Sequence, residues 1–206
     1  MWSAESGVDT TAPEIVVARA FFESGKISVL AGTKNAYPGY EAELASLLRS
    51  PQNTEPASLL YFDPPRTPQS VYGTYYWRVM AVDKSPDVWR ITVCSWINGL
   101  TTADADHYVT DTSMNLIPTA AWVELRSPSG AAAERTSAGS GPERFPSTDV
   151  FRGWSVTNAN LSADQRFVDQ CSALSDNPVP ADLRSATPRT FDKPLPALPP
   201  VPGWPS

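Results

Sequence analysis

Three groups of residues in this chain have side chains suited to chemistry. The first is a pair of cysteines, Cys94 and Cys171, which are the only two present. With no CxxC spacing they do not form a dithiol redox motif or half of a zinc site. In an oxidising compartment they read as one long-range disulfide between a central hairpin and a late helix. In a reducing cytosol they read as two buried thiols. The second group surrounds the one histidine, in the run Asp104-Ala105-Asp106-His107. An imidazole oriented by an aspartate is a general base, and a nucleophile would have to join it. Thr110 and Ser113 are near in sequence, but no GxSxG is present. Metal binding needs three or four ligands, which one D-x-D-H cluster does not supply, so neither a metal nor a cofactor is expected. The plain alternative is an exposed loop.

The third group is aromatic. Tyr72, Tyr75, Tyr76, Trp77, Trp89 and Trp96 crowd one stretch of about 25 residues. Alternation along strands sends some of them to each face. One face must pack on helices, and the other can line a ligand cavity. Tyr75, Trp77, Trp89 and Trp96, with Asp106 and His107, are therefore the pocket candidates. Asp83 and Asp106 are the nominated carboxylates. The competing reading is core packing, or contact with a partner.

Composition narrows the setting. Of 206 residues, 22 are acidic and 16 basic, a net charge of −6. That argues against a nucleic-acid binder, which needs a basic face for phosphates. Only 18% of residues are charged, and 41% are hydrophobic, enough for one core. No apolar run approaches the roughly 18 residues of a membrane helix, so no span is expected. Met1 is followed by a polar stretch without the basic and apolar regions of a signal peptide. The chain then reads either as cytosolic or as the mature part of an exported protein. Scarce lysine, abundant Ala, Ser, Thr and Pro, and two distant cysteines favour export.

These residues must be held by a small set of elements. Thr11 and Glu14 form a capping-box pattern before Pro13, so a first helix starts there, with Gly25 as its stop. Tyr40, Leu44, Leu47 and Leu48 make an amphipathic stripe that predicts a helix over Tyr40–Arg49, ended by Pro51. Residues 57–62 read as an edge strand. Residues 72–82 and 88–97 are rich in aromatic and β-branched residues around the turn cluster 83–87, which predicts a long β-hairpin. Further strands are expected at 120–126 and 150–156, the latter turning Trp154 to the core. A last helix over 163–174 opens on Ser162 and Gln165 and places Phe167, Val168, Cys171 and Leu174 on one face. Residues 127–148 read as a long loop.

Nine of the 21 prolines lie in residues 177–206. A stretch of this kind favours polyproline II and builds no core of its own. Leu195, Pro196, Leu198 and Pro199, with Trp204 as an anchor, read as a ligand for a partner's aromatic groove. The alternatives are a tether to the cell wall or a strap across the protein's own surface. The expected organisation is a flexible N-terminus over 1–11, a domain over 12–176 and a proline-rich tail over 177–206.

Two N-terminal helices followed by a curved antiparallel meander resemble the NTF2-like (cystatin-like) fold. The segment Tyr37-Pro38-Gly39-Tyr40, the return strand Trp89-Arg90-Ile91-Thr92-Val93-Cys94 and a late second cysteine resemble exported proteins and lipoproteins of mycobacteria and related actinobacteria. The resemblance implies an α+β class, with an NTF2-like cone in which a curved antiparallel sheet packs on N-terminal helices; the chain departs from such folds in its long 127–148 loop and its proline-rich C-terminal extension. It implies a non-enzymatic accessory or binding protein of the cell envelope, acting on an envelope protein partner. The alternative is an NTF2-like protein holding an apolar small molecule in an aromatic-lined pocket, with or without isomerase- or hydratase-like acid–base chemistry. A carboxylate beside a tyrosine in an open cavity would favour an enzyme; an ordered tail would favour the accessory protein.

Overall fold

The computed structural model describes residues 1–51, 53, 70–110, 118–126, 140–160, 165–184 and 187–204. The expected edge strand at 57–62, Ser113, Ser162 and most of the 127–148 loop lie outside them. The fold is α+β. Its main sheet has five strands in the order β1 (Trp2–Ala4), β3 (Tyr76–Lys84), β4 (Val88–Trp96), β7 (Thr119–Arg126) and β8 (Ser155–Asn160). β1 runs parallel to β3, and the other pairs are antiparallel. A second, antiparallel sheet contains β2 (Val71–Gly73), β5 (Leu100–Asp104), β6 (His107–Val109) and β9 (Thr190–Phe191). Bulges at Met80 and Thr157 interrupt the register of the main sheet, and such extra residues bend and twist strands.

Both faces of the main sheet are covered. Trp77 and Val79 of β3, Ile91 and Val93 of β4, and Val123 and Leu125 of β7 point to one side. There they meet Ile15, Phe21 and Phe22 of α1 (Pro13–Ala31) and Tyr40 and Leu47 of α2 (Tyr40–Arg49). Tyr76, Cys94, Trp96 and Trp122 point to the other. There Phe167, Val168 and Cys171 of α3 (Gln165–Ser172), with Val179, close a second core. The period-two alternation read in β4 is what separates the two cores.

Several expectations need correction. α1 runs through Gly25 to Ala31 and stops at Gly32, whose φ is 91°. Gly25 is buried between Ser24 and Ser28, in a small-residue surface that the following loop covers. The capping box does not form: Ala12 is the N-cap, and Thr11 bonds instead to Asp9 Oδ1. The run 72–82 is not one strand. It breaks after Gly73, where φ is 117° and a side chain would collide with the Gly99 carbonyl. The strand expected at 150–156 falls at 155–160, after a turn through Gly153, although Trp154 is buried as expected. The N-terminus does not stand apart from the domain. Trp2 pairs with Trp77 in register and is buried against it, because the edge of β3 offers unpaired backbone groups and an aromatic surface.

The tail is the other departure. It lies across the protein's own surface. Prolines lack an N–H, so few donors remain on the tail; side-chain hydroxyls accept from them, and an edge strand donates to a tail carbonyl. Leu195 N bonds to Thr101 Oγ1 and Leu198 N to Thr74 Oγ1, which itself donates to the Pro196 carbonyl. Val201 O accepts from Trp2 N. The tail ends in the main core, where Trp204 is wholly buried. No helix among the described residues is long and apolar enough to cross a membrane.

Candidate functional site

The site begins on α1. Arg19, Glu23, Lys26 and Leu30 fall at i, i+4, i+7 and i+11 and so share a helical stripe. Beyond Gly32 the chain folds back along this helix. Ser28 Oγ meets Thr33 Oγ1 at 2.7 Å, and Ser24 Oγ accepts from Tyr37 N at 3.2 Å. These small side chains let the loop approach, and the approach sets Tyr37 beside Glu23. The Tyr37 hydroxyl donates to Glu23 Oε2 at 2.5 Å, and Trp2 Nε1 donates to Glu23 Oε1 at 2.5 Å. Gly39 then starts α2 at a φ of 87°, where a side chain would strike the Asp149 carboxylate.

Two aromatic groups flank this carboxylate, one stacked and one edge-on. Trp2 stacks on Trp77 at 5.0 Å between ring centres, Tyr75 stacks on Trp77 at 4.7 Å, and Lys26 Nζ lies 5.6 Å over Tyr75. On the other side Trp204 meets Tyr37 edge-on at 5.5 Å, and the Arg19 guanidinium covers Trp204 at 4.4 Å. Arg19 also donates to the Pro202 carbonyl at 2.7 Å. Burial lowers the Arg19 pKa, and the charge of Glu23 opposes that. Burial raises the Tyr37 pKa, and Glu23 raises it further. The phenol therefore stays protonated and remains a donor.

A cleft of about 310 Å³ opens beside this network, at the small end of ligand pockets. One wall is α1, through Glu23, Lys26, Ile27 and Leu30. The opposite wall is Val71, Gly73, Thr74, Tyr75, Trp77 and Leu100. The tail supplies Ala197, Leu198 and Pro200, and Arg144 reaches in from the segment that pairs with Trp204. The arrangement is a mainly apolar slot with a carboxylate whose two oxygens already accept hydrogen bonds.

Of the pocket candidates, Tyr75 and Trp77 line this cleft. Trp96 lies in the second core beside the Cys94–Cys171 disulfide, whose Cα atoms are 5.7 Å apart. Trp89 is half-buried under Lys84, 4.2 Å away. Asp106 and His107 sit at the exposed tip of the β5–β6 hairpin, 3.5 Å apart, next to Ala105 with a φ of 52°. Asp83 is exposed near the far end of β3. In the tail, Leu195 is half-buried, Pro196, Leu198 and Pro199 are exposed, and Trp204 is an internal anchor. Among the described residues no group of three or more His, Cys, Asp or Glu is placed to hold a metal ion.

Sequence reasoning missed Arg19, Glu23, Lys26, Tyr37 and Arg144. The signal for the first three was charge at i, i+4 and i+7 along α1, and stopping that helix at Gly25 cut Lys26 off from the stripe. In comparisons with known proteins, no family model, no curated protein and no solved structure matches this chain.

Proposed function

We propose that this chain is a non-enzymatic binding protein of the cell envelope, exported to an oxidising compartment and built on an NTF2-like cone. It holds a small, largely apolar molecule in the cleft between α1, β2–β3 and the tail. The observation that carries this reading is the state of Glu23. It is the carboxylate of the cleft and it stands beside a tyrosine, but Trp2 and Tyr37 already occupy both oxygens. Each oxygen keeps a second lone pair, but both bonds commit the side chain to protein partners on separate elements. This carboxylate ties α1 to β1 and to the loop before α2, and so shapes a binding slot. The Cys94–Cys171 bridge supports export.

A second reading rests on the outer face of the tail. Leu198 and Val201 are 40% and 51% exposed on a segment fixed to the domain. An envelope protein partner would dock there, on a strap already ordered. One experiment separates the two. The protein is purified from its own host without reductant and weighed intact under native conditions. Binding predicts an added small mass that disappears in Leu30→Trp, which fills the cleft. A bare chain mass, with a second protein co-isolated and lost in Leu198→Asp, replaces the first reading with the second.

A further inference from the structure

The polar groups of the cleft divide into those already used and those left over. Glu23 accepts from Trp2 and Tyr37. Thr74 Oγ1 donates to the Pro196 carbonyl and accepts from Leu198 N. Met1 is also on the lining, and its terminal ammonium donates to the Tyr75 carbonyl at 2.6 Å. The other charged groups there are Lys26 and Arg144, and neither lies within 4.0 Å of an acidic side chain among the described residues. Both are cations. Lys26 Nζ lies 5.6 Å over the Tyr75 ring, which stacks on Trp77. Arg144 follows Glu143, whose backbone pairs with Trp204 in both directions. The same lining carries the apolar surfaces of Ile27, Leu30, Leu100 and Leu198.

We propose that the cleft binds a single-chain carboxylic acid, with its carboxylate between Lys26 and Arg144 and its alkyl body along Ile27, Leu30, Leu100 and Leu198. This rests on the binding reading above and names its ligand. A guanidinium and an ammonium match one carboxylate well. A polyanion is disfavoured, because the chain carries a net charge of −6 and the site supplies two side-chain cations. The volume sets the length. About 310 Å³ equals roughly ten water volumes, which suits a medium-length chain. Each buried methylene tightens binding about fourfold until the cleft is full.

The test uses the full oxidised chain, stripped of bound molecules, and calorimetric titration with hexanoate, octanoate, decanoate and decanol. The proposal expects one decanoate per chain and affinity rising about fourfold per methylene from hexanoate. Lys26→Met combined with Arg144→Met should weaken decanoate at least tenfold and leave decanol unchanged. Both side chains reach solvent, and an unchanged melting temperature checks that the variant folds. Decanol binding as tightly as decanoate, or decanoate affinity surviving the double variant, overturns the carboxylate assignment and leaves the cleft reading standing. Failure of both probes, with the same native mass in wild type and Leu30→Trp, overturns both readings. Sedimentation with phosphatidylglycerol vesicles in the absence of decanoate binding also overturns the proposal, because the cations then serve a bilayer surface.

Discussion

The Arg19 guanidinium lies 4.4 Å from the centre of the Trp204 indole, and both side chains are fully buried. The pair joins the middle of α1 to the end of the tail, and Tyr37 closes against the same indole. Removing the ring as Trp204→Ala leaves a cavity beside a buried cation. The expected cost is about 3–5 kcal/mol, read from urea unfolding. Because the ring anchors the tail, limited proteolysis should cut within 187–204 in the variant and spare the wild type. A loss under about 1 kcal/mol would mean that the strap is independent of the core.

Tyr37 links α1 to the loop that leads into α2. Tyr37→Phe removes one donor from Glu23 and should cost about 1–3 kcal/mol at neutral pH. The pH dependence has a definite sign. Burial, reinforced by Glu23, raises the Tyr37 pKa above its ordinary value of 10.0. Above that pH the unfolded chain releases a proton that the folded chain keeps, so wild-type stability falls as pH rises past 10. Tyr40 is raised by burial in the same direction, so Tyr37→Phe should flatten the decline without abolishing it. Unfolding curves between pH 8 and about 11 check this, and equal slopes for the two proteins would contradict it.

What the sequence made legible was local. The α2 helix spans Tyr40–Arg49 as read, because Pro38-Gly39 before it, Pro51 after it and an apolar stripe along it are all short-range signals. The alternation in β4 divides its residues between the two cores for the same reason. What was hidden depends on partners distant in sequence. Three residues, Trp2–Ala4, carry no pattern of their own, and their strand exists because the edge of β3 is open. Trp204 stands among prolines that argue against a core, and its burial follows from the Arg19 and Tyr37 surfaces it meets. Glu23 lay within the predicted helix, but the two donors that define its role come from β1 and from beyond Gly32.

The disulfide gives a third prediction. Cys94 sits in β4 and Cys171 in α3, and together they pin that helix to the second face of the sheet, across a sequence separation of 77. Replacing both by alanine should cost about 4 kcal/mol in the chain-entropy account. Mild reduction should leave the native protein intact, since both sulfur-bearing residues are buried. The intact mass without reductant should lie two hydrogens below the reduced value. A full reduced mass from the native host would place the protein in a reducing compartment and remove the main support for export.

The last prediction sets the two carboxylate-bearing clusters against each other. Asp106 and His107 are exposed at a hairpin tip, with side chains 85% and 52% accessible. A contact this exposed is worth little, so Asp106→Asn with His107→Ala should change stability by no more than about 0.5 kcal/mol. It should also leave decanoate binding and function in the host unaltered. Glu23→Gln is a smaller chemical change in a costlier place. Trp2 Nε1 and Tyr37 both donate to this side chain, and a glutamine offers one oxygen and one amino group. The amide oxygen can keep the Trp2 bond while the amino group donates to the Tyr37 oxygen, so both bonds survive without the charge that strengthened them, which costs about 1–3 kcal/mol and loosens the α1 wall of the cleft. Decanoate affinity should fall in Glu23→Gln, although Glu23 holds no part of the ligand. If the hairpin variant abolishes function and Glu23→Gln does not, the working site lies at the β5–β6 tip and the cleft is only a gap beneath the strap.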